Sequence, residues 1–66
     1  MFEAKVSGMG IIIIEGRTGR QIATINCSRY AGVDSVKVEG RAIRVVCKDR
    51  RTRVFDATSG RLRKTI

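Results

Sequence analysis

The sequence predicts an all-β protein of about seven short antiparallel strands laid out as two successive meanders. Three observations carry this. Apolar residues do not recur at the three- and four-residue spacing of a helix, β-branched residues fill short runs, and glycine or aspartate punctuates the gaps between them. The first strand is expected over 2–6 (FEAKV) and ends at SGMG. The second, 11–15 (IIIIE), opens with four consecutive isoleucines and is therefore apolar on both sides, which suits a sheet covered on both faces. GRTG turns the chain into 20–26 (RQIATIN). The link CSRYAG is too short for a stable helix, and 33–38 (VDSVKV) follows it. EGR leads into 42–48 (AIRVVCK), DR into 51–56 (RTRVFD) and ATSG into 61–66 (RLRKTI).

Sixty-six residues make one small domain over 1–66, and a domain of that size buries only about 60% of its unfolded surface. Such domains are usually stapled by disulfides, a metal or other copies of themselves. Cys27 and Cys47 are too few for a disulfide framework, and a chain without histidine or clustered carboxylates offers no closed zinc site. Association remains, so a homo-oligomer is expected. MFEAKVSG lacks the pattern of a signal peptide, and Ile11 to Ile14 is too short to cross a bilayer. The expectation is a cytoplasmic protein with no transmembrane segment, its thiols reduced and packed as core fillers.

Fourteen lysines and arginines against six acids give a net charge of +8. Residues 1–40 hold five basic and four acidic groups (+1), whereas residues 41–66 hold nine basic and two acidic (+7). A field this one-sided attracts polyanions.

A shift of 41 residues lays 2–25 on 43–66 without a gap. Ile13 and Ile14 fall on Val54 and Phe55, Glu15 on Asp56, Gly19 and Arg20 on Gly60 and Arg61, and Thr24 and Ile25 on Thr65 and Ile66. Residues 33–66 are then a complete four-strand repeat, and 2–25 a partial one of three strands. EGRAI at 39–43, the seven-residue spacing from Asp49 to Asp56, the Phe55-Asp56 pair and the following ATSGRLRKTI resemble a blade of the WD-repeat β-propellers. The glycine-histidine pair of that family is absent, and Phe55 stands where it has tryptophan. The resemblance implies blade-like meanders in a propeller-like arrangement, with a small sandwich or barrel as the other outcome, and a role as a platform for protein binding. A propeller needs at least four blades, more than one chain supplies.

If Asp49 and Arg50 form a two-residue turn, Cys47 opposes Thr52, Val46 opposes Arg53 and Arg44 opposes Phe55. One face then carries Ile43, Val45, Cys47, Thr52 and Val54, and a wet basic face carries Arg44, Val46, Lys48, Arg51, Arg53 and Phe55. In the first repeat the same rule puts Phe2, Ala4, Val6, Ile11 and Ile13 on one face and Glu3, Lys5, Ile12 and Ile14 on the other. Arginine disfavours positive φ, so a longer turn with the register slipped by one is the alternative. Burying an aliphatic side chain stabilises by about 1.5–3 kcal/mol. Phe2, Ala4, Val6 and Ile11 to Ile14 are therefore the expected core or oligomer face.

No residue set reads as an enzyme. Histidine is absent, no serine or cysteine sits with a plausible base, and no phosphate-binding glycine loop opens a helix. No cofactor and no metal are expected. The expected function is that of a non-catalytic binding or interaction module acting as an oligomer. The alternative is a basic protein that contacts nucleic-acid phosphates without sequence preference, since Phe2, Tyr30 and Phe55 are its only aromatic residues. The candidate binding residues are Arg44, Lys48, Arg50, Arg51 and Arg53, with Arg41, Arg61, Arg63 and Lys64 in addition.

Overall fold

The computed structural model describes residues 1–66. Seven strands follow one another as β1 (Phe2–Ser7), β2 (Gly10–Glu15), β3 (Gln21–Asn26), β4 (Val33–Glu39), β5 (Ala42–Cys47), β6 (Thr52–Asp56) and β7 (Leu62–Thr65). CSRYAG contains a single 3₁₀ turn, Ser28–Tyr30, whose first N–H donates to the Asn26 Oδ1 at 2.9 Å. No helix is long and apolar enough to cross a membrane.

The strands pair antiparallel in chain order into a three-stranded sheet, β1-β2-β3, and a four-stranded sheet, β4-β5-β6-β7. Neither closes, so the barrel alternative is not realised. The two sheets share one core: Ile11, Ile13 and Ile25 of the first pack with Ile43, Val45 and Phe55 of the second, together with Cys27, Val33, Cys47 and Ala57. Alternation explains which residues enter it, because side chains directly opposite in an antiparallel pair share a face. Val36 opposes Val45 and Val38 opposes Ile43, which places Val36 and Val38 of β4 on the same inner side.

The β1–β2 hairpin has the expected register, with Val6 opposite Ile11 and Ala4 opposite Ile13 across a Gly8-Met9 turn. Ile11 and Ile13 are fully buried, Phe2 and Ala4 pack partly buried against the core, and Ile12 and Ile14 lie half-buried on the outer face. Val6, at the end of its strand, is 51% exposed and is not a core residue.

The β5–β6 hairpin departs from the two-residue turn. Val46 opposes Thr52, Val45 opposes Arg53, Arg44 opposes Val54 and Ile43 opposes Phe55, one step from the expected register. Lys48, Asp49 and Arg50 form a three-residue loop in which the Arg50 N–H donates to the Cys47 carbonyl at 3.1 Å and the Cys47 N–H to that of Arg51 at 2.9 Å. Closing such a loop requires a left-handed residue, and Arg50 takes that place at φ 71°. The slip corrects both faces: Arg53 and Phe55 join Ile43, Val45 and Cys47 inside, whereas Thr52 and Val54 turn outward beside Arg44 and Val46.

The hairpins that follow match residue for residue. Gly19 donates to the Glu15 carbonyl and Glu15 to that of Arg20, as Gly60 donates to Asp56 and Asp56 to Arg61. Gly19 and Gly60 both take φ 73°. The register shift between Ile13 and Ile14, which oppose Ala23 and Gln21, recurs between Val54 and Phe55, which oppose Lys64 and Leu62. Here the 41-residue equivalence is a hydrogen-bond equivalence. Across β1 and β5 it becomes 40, because the β5–β6 loop holds one residue more.

Candidate functional site

Strand directions and loops define two ends of the molecule. One end gathers the β1–β2 turn, the 27–32 segment and the β5–β6 loop, and the other gathers the β2–β3, β4–β5 and β6–β7 connections. Four of the six acids, Glu3, Glu15, Glu39 and Asp56, lie toward the second end, and only Asp34 and Asp49 toward the first.

At the first end Asp49 has two tasks. Its Oδ1 accepts the Arg51 N–H at 3.1 Å, which holds the loop, and its carboxylate takes the Arg53 guanidinium at 2.9 Å. Hydrogen bonding from Arg53 is the main reason that the Asp49 carboxyl is held below its ordinary range. Arg53 is 8% exposed, and its guanidinium carbon lies 3.7 Å from the centroid of the Tyr30 ring. The Asp49 carboxylate is the main reason that the Arg53 pKa is raised further. A guanidinium that close over an aromatic face is held by the ring quadrupole as well as by the carboxylate. Arg53 therefore anchors the β5–β6 loop to the 27–32 segment and is not a solvent-facing ligand residue, contrary to the expected basic face. A backbone bond from the Lys48 N–H to the Gly32 carbonyl at 3.0 Å closes the same seam.

With Asp49 satisfied from within, Arg29, Lys48, Arg50 and Arg51 are exposed and make no ion pair. Asn26, Ser28, Arg29 and Tyr30 line an open polar depression of about 400 Å³. Asp34, in the irregular opening of β4, is exposed and also unpaired. Sequence reasoning found Lys48, Arg50 and Arg51 by their charge but missed Arg29. A lone arginine in a polar link gave no periodic signal; its adjacency to Tyr30 was the available clue.

The other candidates lie elsewhere. Arg44 is on the outer face of β5, its Nε donating to Glu39 Oε1 at 3.0 Å, and Lys64 lies opposite Val54 on that face. Arg63 pairs with Asp56 at 3.0 Å. Arg41 and Arg61 stand at the second end, where their carbonyls accept the Ala57 and Asp56 N–H groups. The nine candidates are thus not one patch.

Behind the first end, Cys27 and Cys47 are buried and form no disulfide. Burial, and then the neighbouring Cys47, push the Cys27 thiol up, so it stays protonated and poorly nucleophilic. No group of three or more His, Cys, Asp or Glu residues gathers as a metal site.

The fold and this end define the chain as a two-sheet all-β protein with a cationic tip. No protein-family model matches the chain, nor does any curated protein or solved structure.

Proposed function

We propose that the chain is a non-catalytic binding module whose ligand is an anionic polymer, the phosphodiester backbone of nucleic acid, engaged by Arg29, Lys48, Arg50 and Arg51. The observation that carries this reading is the separation of roles at the loop: the buried arginine neutralises Asp49, and the surrounding cations keep no carboxylate of their own. Phosphate oxygens would supply it. Tyr30 has one face under Arg53, so base stacking contributes little and recognition is of charge and spacing.

Titration of single- and double-stranded DNA and RNA at two salt concentrations tests the reading. Four neutralised phosphates give a slope of log affinity against log salt of about −3 to −4. Changing Lys48, Arg50 and Arg51 together to glutamine removes roughly one unit of slope per residue and leaves the fold intact, since all three are exposed. Absence of binding at low salt, or a slope unchanged by the triple substitution, would overturn it. Arg53 is excluded from the set, because its substitution dismantles the loop.

A further inference from the structure

The two sheets do not meet through matching faces. On the three-stranded sheet the packed side is that of Ile11, Ile13 and Ile25, and the free side that of Ile12 and Ile14. By the hydrogen-bond equivalence of β2–β3 with β6–β7, Ile11 and Ile13 correspond to Thr52 and Val54, and Ile12 and Ile14 to Arg53 and Phe55. On the four-stranded sheet the register puts Arg53 and Phe55 on the packed side with Val45 and Ile43, and Thr52 and Val54 on the outer side with Val46 and Arg44. Within one chain, then, one face of the repeat packs on the opposite face of the next. Each chain is left with one free face of either kind.

From this we infer that copies of the chain associate head to tail, the outer face of β1-β2-β3 in one copy packing on the outer face of β4-β5-β6-β7 in the next. The occupant is a second copy because the contact repeats the one already inside the chain. The side chains support it. Where the packed face of the second sheet has Arg53, which needs Asp49 and Tyr30 to be accommodated, the free face of the first has Ile12, which needs no counter-ion. Ile14 takes the position of Phe55. The receiving face offers the half-buried Val46 and Thr52 around Val54, which is 6% exposed and flanked by Arg44 and Lys64. A strand apolar on both sides, IIII, is what a sheet covered on both faces contains. The contact is heterologous, so it closes into a ring or grows as a filament according to the rotation between copies.

Sedimentation equilibrium over a wide concentration range, combined with complementation, tests this without reference to nucleic acid. The wild-type mass is expected to rise with concentration. Ile12→Asp with Ile14→Asp spoils one face, Val46→Asp with Thr52→Asp spoils the other, and each double variant alone is expected to stay monomeric. Each retains the face the other has lost, so their mixture is expected to form a heterodimer and nothing larger. A wild-type monomer at all concentrations, an unchanged mass in either variant, or a mixture that fails to pair would overturn the inference. Circular dichroism establishes folding; if a double variant fails to fold, Ile14→Asp and Thr52→Asp singly carry the same mixing experiment.

Discussion

The β1–β2 and β5–β6 hairpins occupy corresponding places in the two sheets, yet one turns in two residues and the other in three. The extra residue re-phases everything downstream of it. In the first sheet β2 sends Ile11 and Ile13 inward; in the second β6 sends Arg53 and Phe55 inward. Because side chains alternate with period two, a single loop residue is enough to exchange the faces. The exchange puts an arginine inside, and Asp49 on the same loop accepts it. The first sheet has no such need: its turn is Gly8-Met9, and the residue matching Arg53 is an isoleucine on the outside. Loop length thus decides which face of the strand is buried, and the Asp49, Arg50, Arg51 and Arg53 of the second copy turn that difference into a buried ion pair and a cationic tip.

The largest expected effects lie where the two sheets agree. Ile13 and Ile43 are both fully buried, one in each sheet. Replacing either by alanine is expected to cost about 2–5 kcal/mol, comparable with the whole stability of a small domain. Urea unfolding of Ile13→Ala and Ile43→Ala should therefore show similar losses. A large loss in one and a small loss in the other would mean that the sheets are not stabilised by a common core.

All seven strands were legible from alternation and turn residues, as was the first register, since the apolar residues of β1 and β2 match across a glycine turn. The second register was not legible for a physical reason. Val45-Val46 and Val54-Phe55 are adjacent apolar pairs, and neither parity leaves a hydrophobic face empty. Alternation of the apolar residues favoured the two-residue turn, whereas the aversion of arginine to positive φ pointed to a longer one, in which Arg50 takes positive φ all the same. What favours the longer one is the seating of Arg53 between Asp49 and Tyr30, and Tyr30 lies far away in the sequence. The same long-range contact hid the site: Lys48, Arg50 and Arg51 could be found by charge, whereas Arg29 joins them only through the fold.

A smaller effect is expected at the loop itself. Arg50 at φ 71° is one of only two non-glycine residues in the chain with positive φ. A left-handed conformation costs an L-residue about 1 kcal/mol, and glycine adopts it freely. Arg50→Gly should stabilise the protein by about 1 kcal/mol, raising Tm by about 4–8 °C in a domain this small, while weakening polyanion binding. Thermal unfolding and a binding titration of the one variant measure both. If Tm falls instead, the arginine side chain holds the loop in a way its backbone does not reveal.

The smallest expected effect separates the sheets by pH. Asp56 accepts the Thr58 hydroxyl at 2.6 Å and the Thr58 N–H at 2.8 Å, and pairs with Arg63 at 3.0 Å. These bonds, that from the Thr58 hydroxyl foremost, hold its carboxyl well below the usual aspartate range. Glu15, at the matching position of the first sheet, is in no ion pair and no side-chain hydrogen bond, whereas the β6–β7 turn is held together by an ionised carboxylate. The ordinary aspartate pKa is about 3.9, and below it the unfolded chain binds a proton that the folded chain still excludes. The contribution of Asp56 is thus fully present near neutrality, begins to decline as pH falls past about 4, and is lost once pH drops through the folded value. Asp49, lowered mainly by Arg53, acts in the same direction. Solvent reaches both carboxylates, which keeps the effect modest. Asp56→Asn should be less stable than the wild type at neutral pH and should lose less on acidification, so that the two curves of Tm against pH converge toward acid. Curves that stay parallel would place the acid sensitivity outside this turn and remove the distinction drawn between Asp56 and Glu15.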